Sequence, residues 1–223
     1  MSLIALTALG GCAGPHAARS PRAQQLCGPQ IPGAQELLRP ASLVLLGEMH
    51  GTNEIPYVVA ELACEAATSG QRVTVGVEMG KGEQAALELY LDSQGTPDDQ
   101  RRLVAGPFWN RPYQDGRSSK AMAAMLERLR LLKSAGLGIR VVAYDVPRRS
   151  KVAQLPPPQP ANQHLLGTDP APGAVYDPHA SFRGYRPFVR LSAQPSPEGY
   201  HGYFYVGPIT PSPPATTASF GPG

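Results

Sequence analysis

Glu48, His50, Glu78 and Asp145 are the residues whose types and spacing suit chemistry. Each closes or follows a short apolar run. Leu43-Val44-Leu45-Leu46 leads into Gly47-Glu48-Met49-His50, Val73-Thr74-Val75-Gly76-Val77 into Glu78, and Ile139-Arg140-Val141-Val142-Ala143-Tyr144 into Asp145. An imidazole beside a carboxylate is equipped for general-base catalysis, because the acid orients the ring and stabilises the imidazolium. The same set, one His with two or three acids, is also an oxygen-rich site for a divalent first-row ion, whose bound water would then be the nucleophile.

The elements that would carry these residues follow from periodicity. The run over residues 42–46 is short, branched and bounded by turn residues, which suits a buried strand. From Glu54 to Ser69 apolar residues recur at Ile55, Val58, Val59, Leu62, Ala63 and Ala66, a helical spacing stopped by Gly70. A second strand over residues 73–77 and a helix over residues 118–135, with Met122, Met125, Leu126, Leu129 and Leu132 on one face, precede the third strand. The expectation is an α/β fold, an open and mainly parallel sheet with flanking helices built on a β-α-β-α-β core. Right-handed crossovers place the C-terminal ends of such strands along one sheet edge, where open α/β sheets bind their ligands. Polar loops after strands are ordinary, but acids at three successive exits favour a site.

The segment Leu46-Gly47-Glu48-Met49-His50-Gly51-Thr52-Asn53-Glu54, with Val77-Glu78 after it, resembles the superfamily that joins the ChaN haem-binding lipoproteins, the erythromycin esterases and the Tiki metalloproteases. Those families share a Gly-x-x-His element after the first strand and a Glu after the second. Phe108-Trp109 and Asp115-Gly116-Arg117-Ser118-Ser119 are similar to a ChaN-like subgroup. The resemblance spans residues 40–146. From the esterases it implies His50 as general base with Glu48 or Glu78 orienting it, and from Tiki a divalent metal on His50, Glu48 and Glu78. From ChaN it implies a bound haem, which needs an axial Tyr or His that no motif here singles out. The second Gly-x-x-His of Tiki-like members is missing, since Glu198-Gly199-Tyr200-His201 has the wrong spacing. The expected second half of the domain is therefore replaced or deleted.

Composition changes at the same boundary. Residues 1–146 hold 14 basic and 14 acidic residues against 6 and 3 afterwards, so the net charge of +3 belongs to the tail. Scattered Arg among prolines offers no clustered basic face, and a nucleic-acid partner is excluded on that ground. The tail over residues 147–223 opens on Pro156-Pro157-Pro158-Gln159-Pro160, which reads as extended linker. Gly202-Tyr203-Phe204-Tyr205-Val206-Gly207 reads as a strand covering a sheet edge, with Tyr203 and Tyr205 packing on the domain in preference to binding haem or another ring. His164, His179 and His201 read as solvated loop residues.

At the other end, Leu3-Ile4-Ala5-Leu6-Thr7-Ala8-Leu9 followed by Gly10-Gly11-Cys12 resembles a bacterial lipoprotein signal with its lipobox, although no Lys or Arg precedes the apolar core. Cleavage before Cys12 would leave a lipid-modified thiol tethered to a membrane of the cell envelope, with the protein facing the periplasm or exterior. Residues 13–40 read as a spacer with a short helix near Gln35 to Leu38. With Cys12 acylated, Cys27 and Cys64 remain as a disulfide pair for an oxidising compartment, a buried free thiol at Cys64 being the alternative.

Smaller features have bland readings. Gly80-Lys81-Gly82-Glu83 lacks the ending of a phosphate loop. Glu83, Glu88 and Asp92 suit a solvated helix face. Asp115 suits a cap for the helix that follows, or a site role beside Arg117, whose guanidinium would bind a ligand carboxylate or phosphate. Trp109 suits core packing or an aromatic wall. Two functions stand together: a lipoprotein that binds haem, a metal or another small ligand at the strand ends, and, as the alternative, a hydrolase using His50 with Glu48 and Glu78, Asp145 assisting.

Overall fold

In a computed structural model, the predicted β-α-β-α-β core is present. The structure describes residues 2–9, 25–48, 50–145, 163–167, 188–191, 202–205 and 210–216. Strand β1 is Ser2–Leu9, and helix α1 is the single turn Ala34–Leu37. Then come β2 (Leu43–Glu48), α2 (Glu54–Thr68) and β3 (Arg72–Gly80). A 3-10 turn (Lys81–Glu83) leads into α3 (Gln84–Leu91), followed by α4 (Pro97–Leu103), α5 (Lys120–Ser134) and β4 (Ile139–Asp145). Strands β5 (Gln163–Gly167), β6 (Phe188–Leu191) and β7 (Gly202–Tyr205) complete a seven-stranded sheet ordered β4-β3-β1-β2-β5-β7-β6.

Local chemistry sets the helix limits. Gly70 and Gly136 follow α2 and α5 with φ of 90° and 88°, a left-handed geometry that glycine adopts without strain. Ser119 starts α5 by accepting a 3.2 Å hydrogen bond from Met122 N. Thr96 and Asp99 form a capping box around Pro97 at the start of α4. The apolar stripes of α2 and α5 then pack against each other, with Val59, Leu62, Leu126 and Leu129 wholly buried. Each such side chain contributes about 1.5–3 kcal/mol by leaving water, which is ample to hold two helices on one sheet.

Sheet polarity is mixed. β3 pairs parallel with β4, β2 with β5, and β5 with β7, whereas β1 runs antiparallel to both β2 and β3, and β6 antiparallel to β7. β2, β3 and β4 therefore point the same way and open on one edge. The apolar N-terminal run, expected as a leader, lies in this structure as the strand between β2 and β3, with Ile4 opposite Leu46 and Leu6 opposite Val75. An uncharged apolar run of this length is as well suited to a buried strand as to a signal core.

Two boundaries differ from expectation. Much of the stretch read as a spacer is part of the folded body. Ile31, Ala34 and Leu37 are core residues, and Cys27 is joined to Cys64 of α2 in a disulfide with Cα atoms 5.7 Å apart. Two α2 carboxylates fasten the same segment: Glu61 accepts from Gly28 N at 2.7 Å and Glu65 from Ile31 N at 2.6 Å. The chain beyond residue 146 likewise returns to the main sheet, as β5, β7 and β6. His164 lies in β5, so its backbone is in the sheet, not in a loop. His179 and His201, the proline run 156–160 and Cys12 fall outside the described residues. The described residues contain no helix long and apolar enough to cross a membrane.

Candidate functional site

Parallel β2, β3 and β4 deliver His50, Glu78 and Asp145 to one edge of the sheet. His50 follows β2, and Asp145 ends β4. Glu78 lies in the last stretch of β3, where the register with β4, regular from Val73↔Ile139 to Val77↔Ala143, shifts before resuming at Gly80↔Asp145. Such a shift re-aims a side chain out of the regular alternation. Glu48 ends β2, and its side chain lies outside the described residues, as do those of Tyr203 and Tyr205.

Arg117 joins these groups. Its Nη1 donates to Glu78 Oε1 at 2.8 Å, its Nε and Nη2 donate to Asp115 Oδ2 at 2.9 and 2.7 Å, and Asp145 Oδ2 lies 3.6 Å from Nη1. Asp115 also accepts from Arg117 N at 3.1 Å and from Arg111 at 3.2 Å through both carboxylate oxygens. Arg111 in turn lies over the Phe108 ring, 4.7 Å from its centroid. Exposed ion pairs contribute at most about 1 kcal/mol each, so the value of this half-buried network lies mainly in fixed geometry. Asp115 is thus a partner of two arginines and not the cap of α5, a place taken by Ser119. Arg117 spends its donors on the protein's own acids, so a ligand carboxylate or phosphate would have to displace one of them.

His50 Nε2 lies 3.7 Å from Glu78 Oε2, an oxygen that is shielded from solvent and accepts no hydrogen bond. Burial holds the imidazole below its ordinary pKa of 6.5; Glu78 and Asp115 pull it upward, and Arg117 pushes it down. The ring is therefore neutral at pH 7. Burial also pushes the Asp115 carboxyl up, but hydrogen bonds from Arg117 and the charge of Arg111 outweigh it and leave the group below its usual range. About a quarter of each of these two side chains reaches solvent, 23% for His50 and 25% for Glu78, so the pair is partly accessible.

The donor set bears on the two implied cofactors. Among the described residues no three His, Cys, Asp or Glu side chains come together to hold a metal ion. Glu78, Asp115 and Asp145 instead share one guanidinium, that of Arg117. A porphyrin needs apolar walls beside its axial ligand, whereas Glu78, Asp115 and Arg117 act electrostatically on His50. The described residues fit neither group.

Two glycines and a distant segment complete the site. A Cβ on Gly116 would lie 2.6 Å from Gly51 N and 2.7 Å from His50 C, so the loop carrying Arg117 meets the loop carrying His50 backbone to backbone. Residues 210–216 cross both loops. Nothing in the composition of that proline-rich stretch distinguished it from linker. Glu83, expected on a solvated face, is buried and accepts from Phe108 N at 2.9 Å, closing the loop that begins the Arg111–Arg117 segment. Trp109 is a core residue, 1% exposed and edge-on to Phe108.

No protein-family model, curated protein or solved structure matches this chain.

Proposed function

We propose that this sheet edge is the active site of a metal-independent hydrolase acting on a neutral ester, with His50 as general base. The observation that carries the reading is a neutral imidazole facing Glu78, whose other oxygen Arg117 holds in place. With hydrogen on Nε2, the imidazole points its N–H towards Glu78 Oε2, and the second ring nitrogen takes the proton of an attacking water. The water oxygen bonds to the ester carbonyl carbon, the bond to the leaving oxygen breaks, and the proton passes from His50 to the departing alkoxide. Glu78 stabilises the imidazolium formed between these steps. Arg117, itself held by Asp115, keeps Glu78 oriented.

The likeness of Gly47-Glu48-Met49-His50 and Glu78 to the esterase branch of the ChaN, erythromycin esterase and Tiki superfamily supports the same assignment. On that likeness we propose a metal-free site, because Arg117 stands among the acids. We further propose an envelope location with a lipid on Cys12. Ligand binding without turnover, the other function drawn from the sequence, uses the same crevice and lacks a separate supporting contact.

The test is hydrolysis of a panel of p-nitrophenyl esters and lactones by the full chain, with and without EDTA, beside His50→Ala and Glu78→Gln. EDTA-insensitive turnover that disappears in His50→Ala, with the circular dichroism spectrum kept, is the expected result. Equal rates in His50→Ala and the parent, or turnover abolished by EDTA, overturn it.

A further inference from the structure

Residues 210–216, Thr210-Pro211-Ser212-Pro213-Pro214-Ala215-Thr216, lie far along the chain from everything they touch. On one side they meet the turn between His50 and α2. Ser212 N donates to Gly51 O at 2.7 Å, Asn53 N donates to Thr210 O at 3.0 Å, and Glu54, a buried acid in the first turn of α2, accepts from Thr210 N at 2.8 Å and Oγ1 at 2.5 Å. On the other side they meet the start of α5, just after Arg117. Lys120 N donates to Pro213 O at 2.8 Å, Ala215 N donates to Ser118 O at 2.9 Å, and Ala121 N donates to Ser212 Oγ at 2.9 Å. The backbone N–H groups of residues 210, 212 and 215 are therefore all engaged, and the three prolines have none to satisfy. Proline also limits the freedom the segment loses on docking.

We propose that residues 210–216 are a positioning strap for the His50 site, with Ser212 as the residue that couples its two loops. The Ser212 N–H fixes Gly51, next to His50, while its hydroxyl fixes the first turn of α5, which follows Arg117. Between them the Gly51 and Gly116 backbones are pressed together, so the strap sets how far His50 stands from the Arg117-held Glu78. Ser212 is buried, as a residue bonded on both sides must be. A segment serving only to anchor the chain terminus would need one docking face. This one spans two, and both carry the site.

The kinetic part of the proposal rests on the hydrolase reading; the geometric part does not. The experiment compares the full chain with Ser212→Ala, Ser212→Thr and Thr210→Val by NMR titration of His50, ester hydrolysis and urea unfolding. Ser212→Ala and Thr210→Val are expected to raise the His50 pKa towards its ordinary value as the loop loosens, and to lower kcat about tenfold or more with less effect on KM. Ser212→Thr, which keeps the hydroxyl, is expected to restore both. Thr210 is on the surface, so its variant tests the strap even if Ser212→Ala unfolds. If the hydrolase reading alone is wrong, no chain turns over ester, yet the His50 titration still moves. An unchanged His50 titration in folded Ser212→Ala and Thr210→Val overturns the strap.

Discussion

Gly116 and Gly51 touch through their backbones, so closely that no side chain fits at position 116. A methyl group there would fall 2.6 Å from Gly51 N and 2.8 Å from Gly51 Cα, and the φ of +89° is itself unfavourable for any residue with a Cβ. Gly136 has nearly the same φ, +88°, with nothing within 4 Å of the added methyl. Gly136→Ala is therefore expected to cost about 1 kcal/mol from backbone strain, and Gly116→Ala about 2 kcal/mol or more, because loop backbones must also separate. Urea unfolding of the two variants checks this. Equal midpoints would mean that the two loops are not held in contact.

The pH behaviour of His50 follows from its burial. An imidazole whose folded pKa is below its unfolded value binds fewer protons when folded. Its contribution to stability is fully present above the unfolded value, near 6.5, and is lost as pH falls through the lower folded value. The acid limb of kcat/KM is accordingly expected below pH 6.5. Arg117 pushes the ring down, so Arg117→Gln is expected to raise the His50 pKa and move that limb to higher pH. NMR titration of the ring in both proteins measures the shift. A pKa that stays put or falls in Arg117→Gln would show that the guanidinium does not act on His50.

The disulfide and the two α2 carboxylates secure one segment together. Cys27–Cys64 closes a sequence separation of 37, for which loss of the bridge is expected to cost about 2–4 kcal/mol. Glu61 and Glu65 accept from Gly28 N and Ile31 N without using the bridge, and Arg128 holds Glu61 at 3.1 Å, so these bonds are expected to outlast reduction. Cooperative unfolding with a lower urea midpoint in reductant is the expected outcome. A midpoint unaffected by reductant would mean that the carboxylates suffice alone.

What could be read in the sequence were features that depend on neighbours along the chain. The strands ending at Glu48, Glu78 and Asp145 and the helices α2 and α5 show in periodicity and in Gly70 and Gly136, and the placing of His50, Glu78 and Asp145 at one edge follows from strand polarity. Arg117 was visible as a candidate beside Asp115, but Glu78 and Asp145 come from two other segments, so its role as the shared cation of all three was not. The strap left no pattern at all: every one of its bonds has a backbone group or a small hydroxyl on the strap's side, and the partners lie about 90 to 160 positions away, beyond the reach of any local spacing. Glu83 was misread because a buried acid satisfied by a distant N–H has the same spacing as a solvated one.

Residues 2–9 connect location to structure. They fill the space between β2 and β3 as an antiparallel strand, and the proposed cleavage before Cys12 would remove them. β2 and β3 are parallel and linked by α2 as one β-α-β unit, so cleavage would take away the strand that pairs with both of them. Processed protein is expected in the membrane fraction with Cys12 as its first residue, carrying the mass of a lipid on the thiol. Intact mass measurement and N-terminal sequencing of protein from an envelope fraction decide the matter. A chain still starting at Met1 and released by salt would rule out the anchor and make β1 a permanent part of the sheet. Cleavage is therefore expected to alter the spacing of the strands that lead to His50 and Glu78. The distance between His50 and Glu78 is then the quantity to compare between processed and unprocessed protein, through the His50 titration in each.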